Sequence, residues 1–166
     1  MPAQKSAATE NVEVTRLASA MSSDDRDLAL RSKRLLWWAV RYAGRPGGET
    51  ERSAIVAELV AALATNASEM ARREILWMLS EIGGDESVDP IAAMLSDERV
   101  RDDARMALER IPGNRSLAAL ETGLAHAPED FRTNMAQSLR KRGVSVPGYP
   151  CQKLIPCKPT RVRTIS

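Results

Sequence analysis

Histidine and cysteine supply many of the bases, thiol nucleophiles and soft metal ligands of proteins, and this 166-residue sequence contains only His126, Cys151 and Cys157. His126 follows an apolar helical run, and no nucleophile or carboxylate that general-base catalysis would need is recognisable beside it. The cysteines are spaced C-x5-C without a nearby histidine, which is a poor zinc pattern. The sequence lacks the G-x-S-x-G, P-loop and H-E-x-x-H motifs. We therefore expect no catalytic residue, no metal site and no cofactor.

Aromatic and guanidinium side chains are the recognition chemistry that remains, and they concentrate in RLLWWAVRYAG, residues 34–44. Successive residues of a helix are about 100° apart, so Trp37 and Trp38 cannot share one face. When Leu36 and Val40 face the core, Trp37 lies on the flank and Trp38 on the far side. The residues of that far side form an aromatic–arginine strip, defined as Arg31, Arg34, Trp38, Arg41 and Tyr42.

Two interpretations of the aromatic–arginine strip are open. In the first, which we favour, the N-terminal segment folds over the strip, because terminal repeats need a cover and exposed tryptophan is unfavourable. In the second, the strip is an open binding surface, because arginine and aromatic residues dominate interface energetics and also suit base stacking and phosphate contacts. The apolar residues available for a cover are Val12, Val14, Leu17 and Met21.

Charge is distributed unevenly, although the net charge is only +2. Residues 46–130 contain 8 basic and 17 acidic residues, whereas residues 131–166 contain 8 basic residues and no acidic one. The basic tail, residues 144–166, either docks on the acidic body of the chain, which we favour, or meets an anionic partner such as nucleic acid, a membrane surface or an acidic protein. Leu154 and Ile155 could anchor the tail on the last helices; otherwise it is a tether or a partner-binding segment.

The sequence predicts a cytoplasmic location. The first 25 residues contain no apolar signal region, and no stretch reaches the length needed to span a bilayer. Cys151 and Cys157 are then expected to be free thiols. Export by another route would instead allow them to form a small disulfide loop.

Helical periodicity, interrupted by Gly- and Pro-containing breaks, provides the elements that position these residues. Residues 1–22 are expected to be partly disordered or capping, with a short helix near 11–21. A helical domain over 23–143 then precedes the tail, and Pro90 is expected in the first turn of a short helix. The helices of this domain are expected near 24–43, 50–64, 66–82, 86–96, 97–111, 115–127 and 128–142.

Internal similarity shows that these helices form a repeat. ARREILWMLSEIGG (71–84) aligns with VRDDARMALERIPG (100–113) at an offset of 29 residues, and the latter aligns with FRTNMAQSLRKRGV (131–144) at an offset of 31. SKRLLWWAVRYAGR aligns with the first of these at an offset of 39, which places Trp38 on Trp77. Each helix pair is too small to bury its own apolar face, so stacking must create the core.

The repeat resembles the short HEAT-like repeat of about 30 residues, of the phycobilisome-lyase type. VRDDARMALERIPG and EIGGDESVDPIAAMLSDERVR carry this resemblance, which extends well over residues 66–143 and loosely over 24–65. It implies an all-α, right-handed α-solenoid of about three to four repeats. Proteins with this fold include scaffolds, bilin lyases or their chaperones, and DNA-repair glycosylases.

The resemblance also suggests roles for arginines and acids at repeated positions. Arg72, Arg101 and Arg132 are expected to form a structural ladder with acids of the neighbouring repeat rather than a ligand site. The second helices, near 50–64, 87–95 and 115–126, are expected to line a concave face suited to a basic or mixed partner. The acidic residues expected on that face are Glu51, Glu58, Asp89 and Glu121.

We interpret the chain as a non-catalytic scaffold or adaptor that binds a protein partner. A bilin lyase or lyase-like chaperone is the enzymatic alternative, but the low aromatic content counts against it. A DNA-binding, HEAT-like repair protein is a third, and the acidic middle of the chain argues against its basic concave face. Weak nucleic-acid binding through the strip and the tail would be identified by its salt dependence.

Overall fold

The computed structural model describes residues 14–65 and 68–149, and helices account for all the regular secondary structure within them. A short 3-10 helix, Met94–Ser96, follows the fifth α-helix directly. The α-helices are α1 Val14–Ala20, α2 Arg26–Ala43, α3 Glu49–Ala64, α4 Glu69–Ile82, α5 Asp85–Ala93, α6 Arg101–Arg110, α7 Asn114–His126 and α8 Glu129–Lys141.

The helices stack in two layers. In the even layer α2 packs on α4, α4 on α6, and α6 on α8, while in the odd layer α1 packs on α3, α3 on α5, and α5 on α7. Contacts between the layers join α1 to α2, α2 to α3, α3 to α4, α5 to α6, α6 to α7, and α7 to α8. This arrangement is that of a helical-repeat solenoid, so the expected all-α solenoid is confirmed.

One continuous core lies between the layers. Leu36 and Val40 of α2, Leu79 of α4 and Leu108 of α6 are fully buried, and all of them occupy the apolar positions that the repeat alignment brings into register. Burying such a side chain contributes about 1.5–3 kcal/mol relative to leaving it exposed. The stacked even-layer helices therefore form the main support of the fold.

Local sequence sets where the helices begin and end. The Asp25 carboxylate accepts hydrogen bonds from the backbone N–H groups of Asp27 and Leu28, which caps α2. The Ser68 hydroxyl accepts from the N–H of Ala71 and caps α4 in the same way. Gly83 ends α4, where a Cβ atom would lie 2.4 Å from the carbonyl oxygen of Leu79. Because glycine has no Cβ atom, the backbone can pass this close to Leu79 and continue into α5 after two residues.

The turns between paired helices repeat the same hydrogen bonds. Ser87 donates its hydroxyl to the carbonyl of Gly84, and Ser116, 29 residues later, donates to the carbonyls of Ile111 and Gly113. Arg142 closes the second turn by donating to the Ile111 and Gly113 carbonyls at 2.7 and 2.8 Å. The 29-residue offset read from the sequence is therefore a structural repeat.

One local expectation needs correction, and the short helix expected near 11–21 corresponds to α1. α5 begins at Asp85, so Pro90 is its sixth residue and does not lie in the first turn. Asp85 and Glu86 start the helix earlier because acidic side chains are favourable near a helix N-terminus. α1 belongs to the packed fold, since its residues Val14 and Ala18 are buried.

Other expectations fall outside the described residues. They concern the covering role of Val12, the thiols of Cys151 and Cys157, and the anchoring of the tail by Leu154 and Ile155.

Candidate functional site

The exposed side of α2 is the most distinctive surface of the described structure. Trp38 is 62% exposed, Leu35 is 56% exposed, and Leu28 and Tyr42 are also exposed. Large apolar side chains that stand together in solvent mark interaction surfaces. We call the row that they form with two arginines the α2 ridge; its residues are Leu28, Arg31, Leu35, Trp38, Tyr42 and Arg45.

Three side chains at the C-terminal end of the α2 ridge form a stack. The Trp38 and Tyr42 rings are nearly parallel, with an angle of 12° between their planes and 5.4 Å between their centroids. The Arg45 guanidinium lies 3.8 Å from the Tyr42 centroid, within the range of a cation–π contact. The Arg45 guanidinium donates a hydrogen bond to Glu51, which holds it in place. This bond raises the pKa of Arg45 and lowers the pKa of Glu51. The outer face of the stack, the Trp38 ring, is exposed to solvent.

Trp37, the neighbour of Trp38, has a structural role. Its indole N–H donates a 2.9 Å hydrogen bond to the Glu74 carboxylate on α4, and Lys33 forms an ion pair with the same carboxylate. Trp37 is partly buried against the core. One tryptophan of the adjacent pair therefore joins two even-layer helices, and the other is directed to solvent.

The same arrangement recurs between α4 and α6. The Trp77 indole N–H donates to Asp103 at 2.9 Å, and Arg73 lies 3.4 Å from the other oxygen of that carboxylate. The hydrogen bonds thus relate Trp37, rather than Trp38, to Trp77, which differs by one residue from the sequence alignment. A basic residue stands four positions before the tryptophan at both sites, but Arg34 stands in the same way before Trp38, so this spacing alone could not have identified the pattern.

The N-terminal cover does not extend over Trp38 within the described residues. α1 packs on α2, α3 and, more lightly, α4, and it buries Val14, Ala18 and Met21 in the core. It covers the odd-layer side of α2, because its buried residues meet the core between the layers. Residues 14–21 therefore do not cover Trp38, and the favoured interpretation is wrong for this part of the N-terminal segment.

Arg31, Arg34 and Arg41 are exposed around the α2 ridge. The Arg41 guanidinium lies 5.3 Å from the centroid of the Trp37 ring. Among the residues that the structure describes, none of these three arginines takes part in an ion pair. The aromatic–arginine strip is thus brought together on one helix, with its cations available.

The acidic residues expected on the second helices lie on the odd layer, but most already have partners. Glu58 accepts a 3.0 Å hydrogen bond from the backbone N–H of Val14 and so fixes the start of α1. Glu121 is exposed. The remaining pairs are Glu51 with Arg45 at 2.8 Å and Asp89 with Arg115 at 2.6 Å. These contacts leave less negative charge for a basic partner than the sequence suggests.

The repeated arginines make contacts between successive repeats. Arg72 contacts Asp97 at 2.7 Å and Arg101 contacts Asp130, as expected for the ladder. Arg132 differs from the expectation: it donates at 2.9 Å to the carbonyl oxygen of Ala127, five residues earlier, and has no acidic partner among the described residues. Arg101 also lies 4.6 Å from the centroid of the Phe131 ring. The first two contacts join one even-layer helix to the start of the next.

Asp97 is the centre of one of these contacts. Hydrogen bonds from the Arg99 side chain and backbone, together with one from Arg72, lower the pKa of Asp97 to about 2 from the usual 3.8. The carboxylate is therefore ionised at neutral pH and occupied by two guanidinium groups.

A groove of about 770 Å³ lies between α5 and α7 and reaches the start of α8. Its lining is mostly small and apolar, and its charged Asp89 and Arg115 bind each other. His126 lies at its edge, with Nδ1 2.8 Å from the Thr122 carbonyl oxygen. Nothing in this lining shows a nucleophile activated by a base.

No helix among the described residues is long and apolar enough to cross a membrane. No three metal-binding side chains cluster within the part of the chain described.

Comparison with known proteins identifies the repeat. A family model described as HEAT repeats matches residues 56–140, just over half of the chain, from within α3 to near the end of α8. The match is to HEAT repeats in general and does not distinguish the phycobilisome-lyase type. No curated protein matches the chain.

Proposed function

The chain belongs to the HEAT-repeat family, and we propose that it acts as a non-catalytic adaptor that binds a partner protein through the α2 ridge. Solenoid proteins present extended surfaces on which other proteins bind. The observation that carries the proposal is Trp38, which is 62% exposed, is stacked on Tyr42, and lies beside Arg31, Arg34 and Arg41, none of which forms an ion pair within the described part of the chain. Tryptophan, tyrosine and arginine are the residue types most enriched among interface hot spots.

The α2 ridge is preferred to the odd layer for a physical reason. Three of the four acidic residues expected there have intramolecular partners, which a ligand would have to displace. Apart from Arg45, the side chains of the α2 ridge and its flanking arginines have no ion-pair partner among residues 14–65 and 68–149 that a ligand would have to displace. A preorganised aromatic stack also loses little conformational entropy on binding.

The test begins with affinity purification of the chain from its native cells, followed by mass spectrometry. The double variant Trp38→Ala/Arg34→Ala is compared with the wild type and with a control, Met70→Ala/Arg115→Ala, which removes one exposed apolar residue and one exposed arginine outside the ridge. Each recovered protein is then purified and its affinity for the chain is measured. We expect one direct partner whose affinity falls at least about tenfold in the Trp38 variant and stays unchanged in the control.

Other results would contradict this function. A partner that binds both variants equally would move the site away from α2. Recovery of nucleic acid alone, with an affinity that falls steeply as salt rises, would favour the DNA-binding alternative. Copurification of a tetrapyrrole pigment would favour the lyase-like alternative.

A further inference from the structure

The α2 ridge has the spacing of a helix-pairing seam. On α2 its residues follow one another at intervals of 3, 4, 3 and 4, from Leu28 to Tyr42, and Arg45 lies just past the end of the helix. This alternation keeps side chains on one side of a helix and is the pattern by which two helices pair along their length. With a rise of 1.5 Å per residue, the seam on α2 is about 20 Å long. It matches the length of one partner helix rather than that of a small ligand.

The position of the ridge in the solenoid shows where such a helix would lie. One side of α2 meets the core through Leu36 and Val40, and a second side meets α4 through Lys33 and Trp37. At 100° per residue, Trp38 and Tyr42 lie on the remaining lateral side, roughly opposite the side that meets α4. α1 lies in the odd layer, so within the described residues no even-layer helix precedes α2. The ridge is the open end of the even layer.

Contacts inside the even layer show the chemistry by which its helices join, with the cation and the indole on the earlier helix and the carboxylate on the later one. Glu74 receives hydrogen bonds from Lys33 and Trp37, and Asp103 is contacted in the same way by Arg73 and Trp77. In both cases a carboxylate on one helix meets a cation and an indole on its neighbour. At the open end the cation and indole are present on α2, but no carboxylate of the described residues reaches Trp38, Arg31 or Arg34.

We propose that the α2 ridge binds an amphipathic, acidic helix of the partner protein, which extends the even layer by one helix. The apolar residues of that helix pack on Leu35 and Trp38, and its carboxylates meet Arg31, Arg34 and Arg41. This assignment rests on the adaptor function proposed above and specifies the chemistry of the partner.

Charge argues against a second copy of the chain as the occupant. Two α2 helices paired antiparallel would place Leu35 of one copy near Trp38 of the other. The same pairing would set Arg34 of each copy near Arg41 of the second copy, with no carboxylate between them. Like charges in register across a helix pair are unfavourable, whereas an acidic helix would neutralise them.

The experiment uses the full chain and two synthetic helical peptides of 21 residues. Both carry leucine at the a and d positions of three heptads; one has glutamate and the other lysine at every e and g position. Binding is measured by fluorescence anisotropy of labelled peptide at low and moderate salt. We expect the glutamate peptide to bind at least tenfold more tightly than the lysine peptide, and its affinity to fall as salt rises.

Variants of the chain locate the binding on the ridge. Trp38→Ala is expected to lower the affinity for the glutamate peptide at least tenfold. Arg34→Glu is expected to reduce the preference for the glutamate peptide and to raise the affinity for the lysine peptide. Arg115→Glu changes the net charge by the same amount on the opposite end of the solenoid, and it is expected to leave the preference unchanged.

Three results would overturn the proposal. They are an absence of binding by the glutamate peptide, equal binding of both peptides, and binding that Trp38→Ala does not weaken. Sedimentation of a dimer that Trp38→Ala disrupts would assign the ridge to a second copy instead. If neither peptide binds but a purified partner protein binds in a manner that requires Trp38, the acidic helix is refuted and the adaptor function remains.

Discussion

The adjacent tryptophans of α2 provide a matched pair of perturbations. Trp37→Phe keeps a large aromatic ring but removes the indole N–H that donates to Glu74 at 2.9 Å. A hydrogen bond to a charged group contributes about 1.5–3 kcal/mol. Lys33 remains paired with Glu74 in the variant, so we expect a loss near the lower limit, about 1.5 kcal/mol. Trp38→Phe changes a side chain that is 62% exposed, and we expect a change within about 0.5 kcal/mol.

The assay is urea unfolding, followed by circular dichroism and by fluorescence so that coincident transitions establish a two-state comparison. Trp37→Phe should lower the midpoint without changing the m-value, and should lower the Tm by about 3–6 °C. In a Glu74→Ala background the same substitution should cost much less, because its acceptor has already been removed. Equal destabilisation by Trp37→Phe and Trp38→Phe would refute the assignment of one structural and one binding tryptophan.

Two further predictions test the frame that supports α2. The Arg99-dominated hydrogen bonds lower the pKa of Asp97 to about 2, so its contribution to stability is present above pH 3.8 and is lost as the pH falls towards 2. The difference in unfolding free energy between the wild type and Asp97→Asn should therefore be constant at neutral pH and shrink below about pH 4, and a constant difference down to pH 2 would contradict it. Gly83→Ala should destabilise the chain by about 1–3 kcal/mol, because its Cβ would lie 2.4 Å from the Leu79 carbonyl oxygen. Gly84→Ala meets only the flexible Glu86 side chain and should cost less in the same thermal unfolding experiment.

Local patterns in the sequence were sufficient for most of the helices. The periodic apolar residues and the Gly and Pro breaks predicted the helical segments from α2 to α8, because both signals depend on neighbours within a few positions. The placement of Trp38 on the far side of α2 follows from the 100° turn per residue alone. The position of Pro90 within α5 was misjudged: it was expected in the first turn, but it is the sixth residue of the helix, which begins at Asp85.

Contacts between repeats could not be predicted from these patterns. The bonds of Trp37 to Glu74 and of Trp77 to Asp103 depend on the distance between stacked helices, which no local periodicity specifies. The hydrogen bond from the backbone N–H of Val14 to Glu58 has the same origin, since the two residues are 44 positions apart. Exposure of Trp38 was likewise decided by where α1 packs rather than by its own apolar sequence.

The central claim is that Trp38 belongs to a binding surface while Trp37 and Trp77 hold the even layer together. The indole N–H signals of the three tryptophans can be observed separately by NMR in the 15N-labelled chain, with tryptophan-to-phenylalanine variants for assignment. On addition of the glutamate peptide, we predict that the Trp38 signal shifts while the Trp37 and Trp77 signals, bound to Glu74 and Asp103, stay in place. A peptide-induced shift of Trp77 with Trp38 unchanged would contradict the claim.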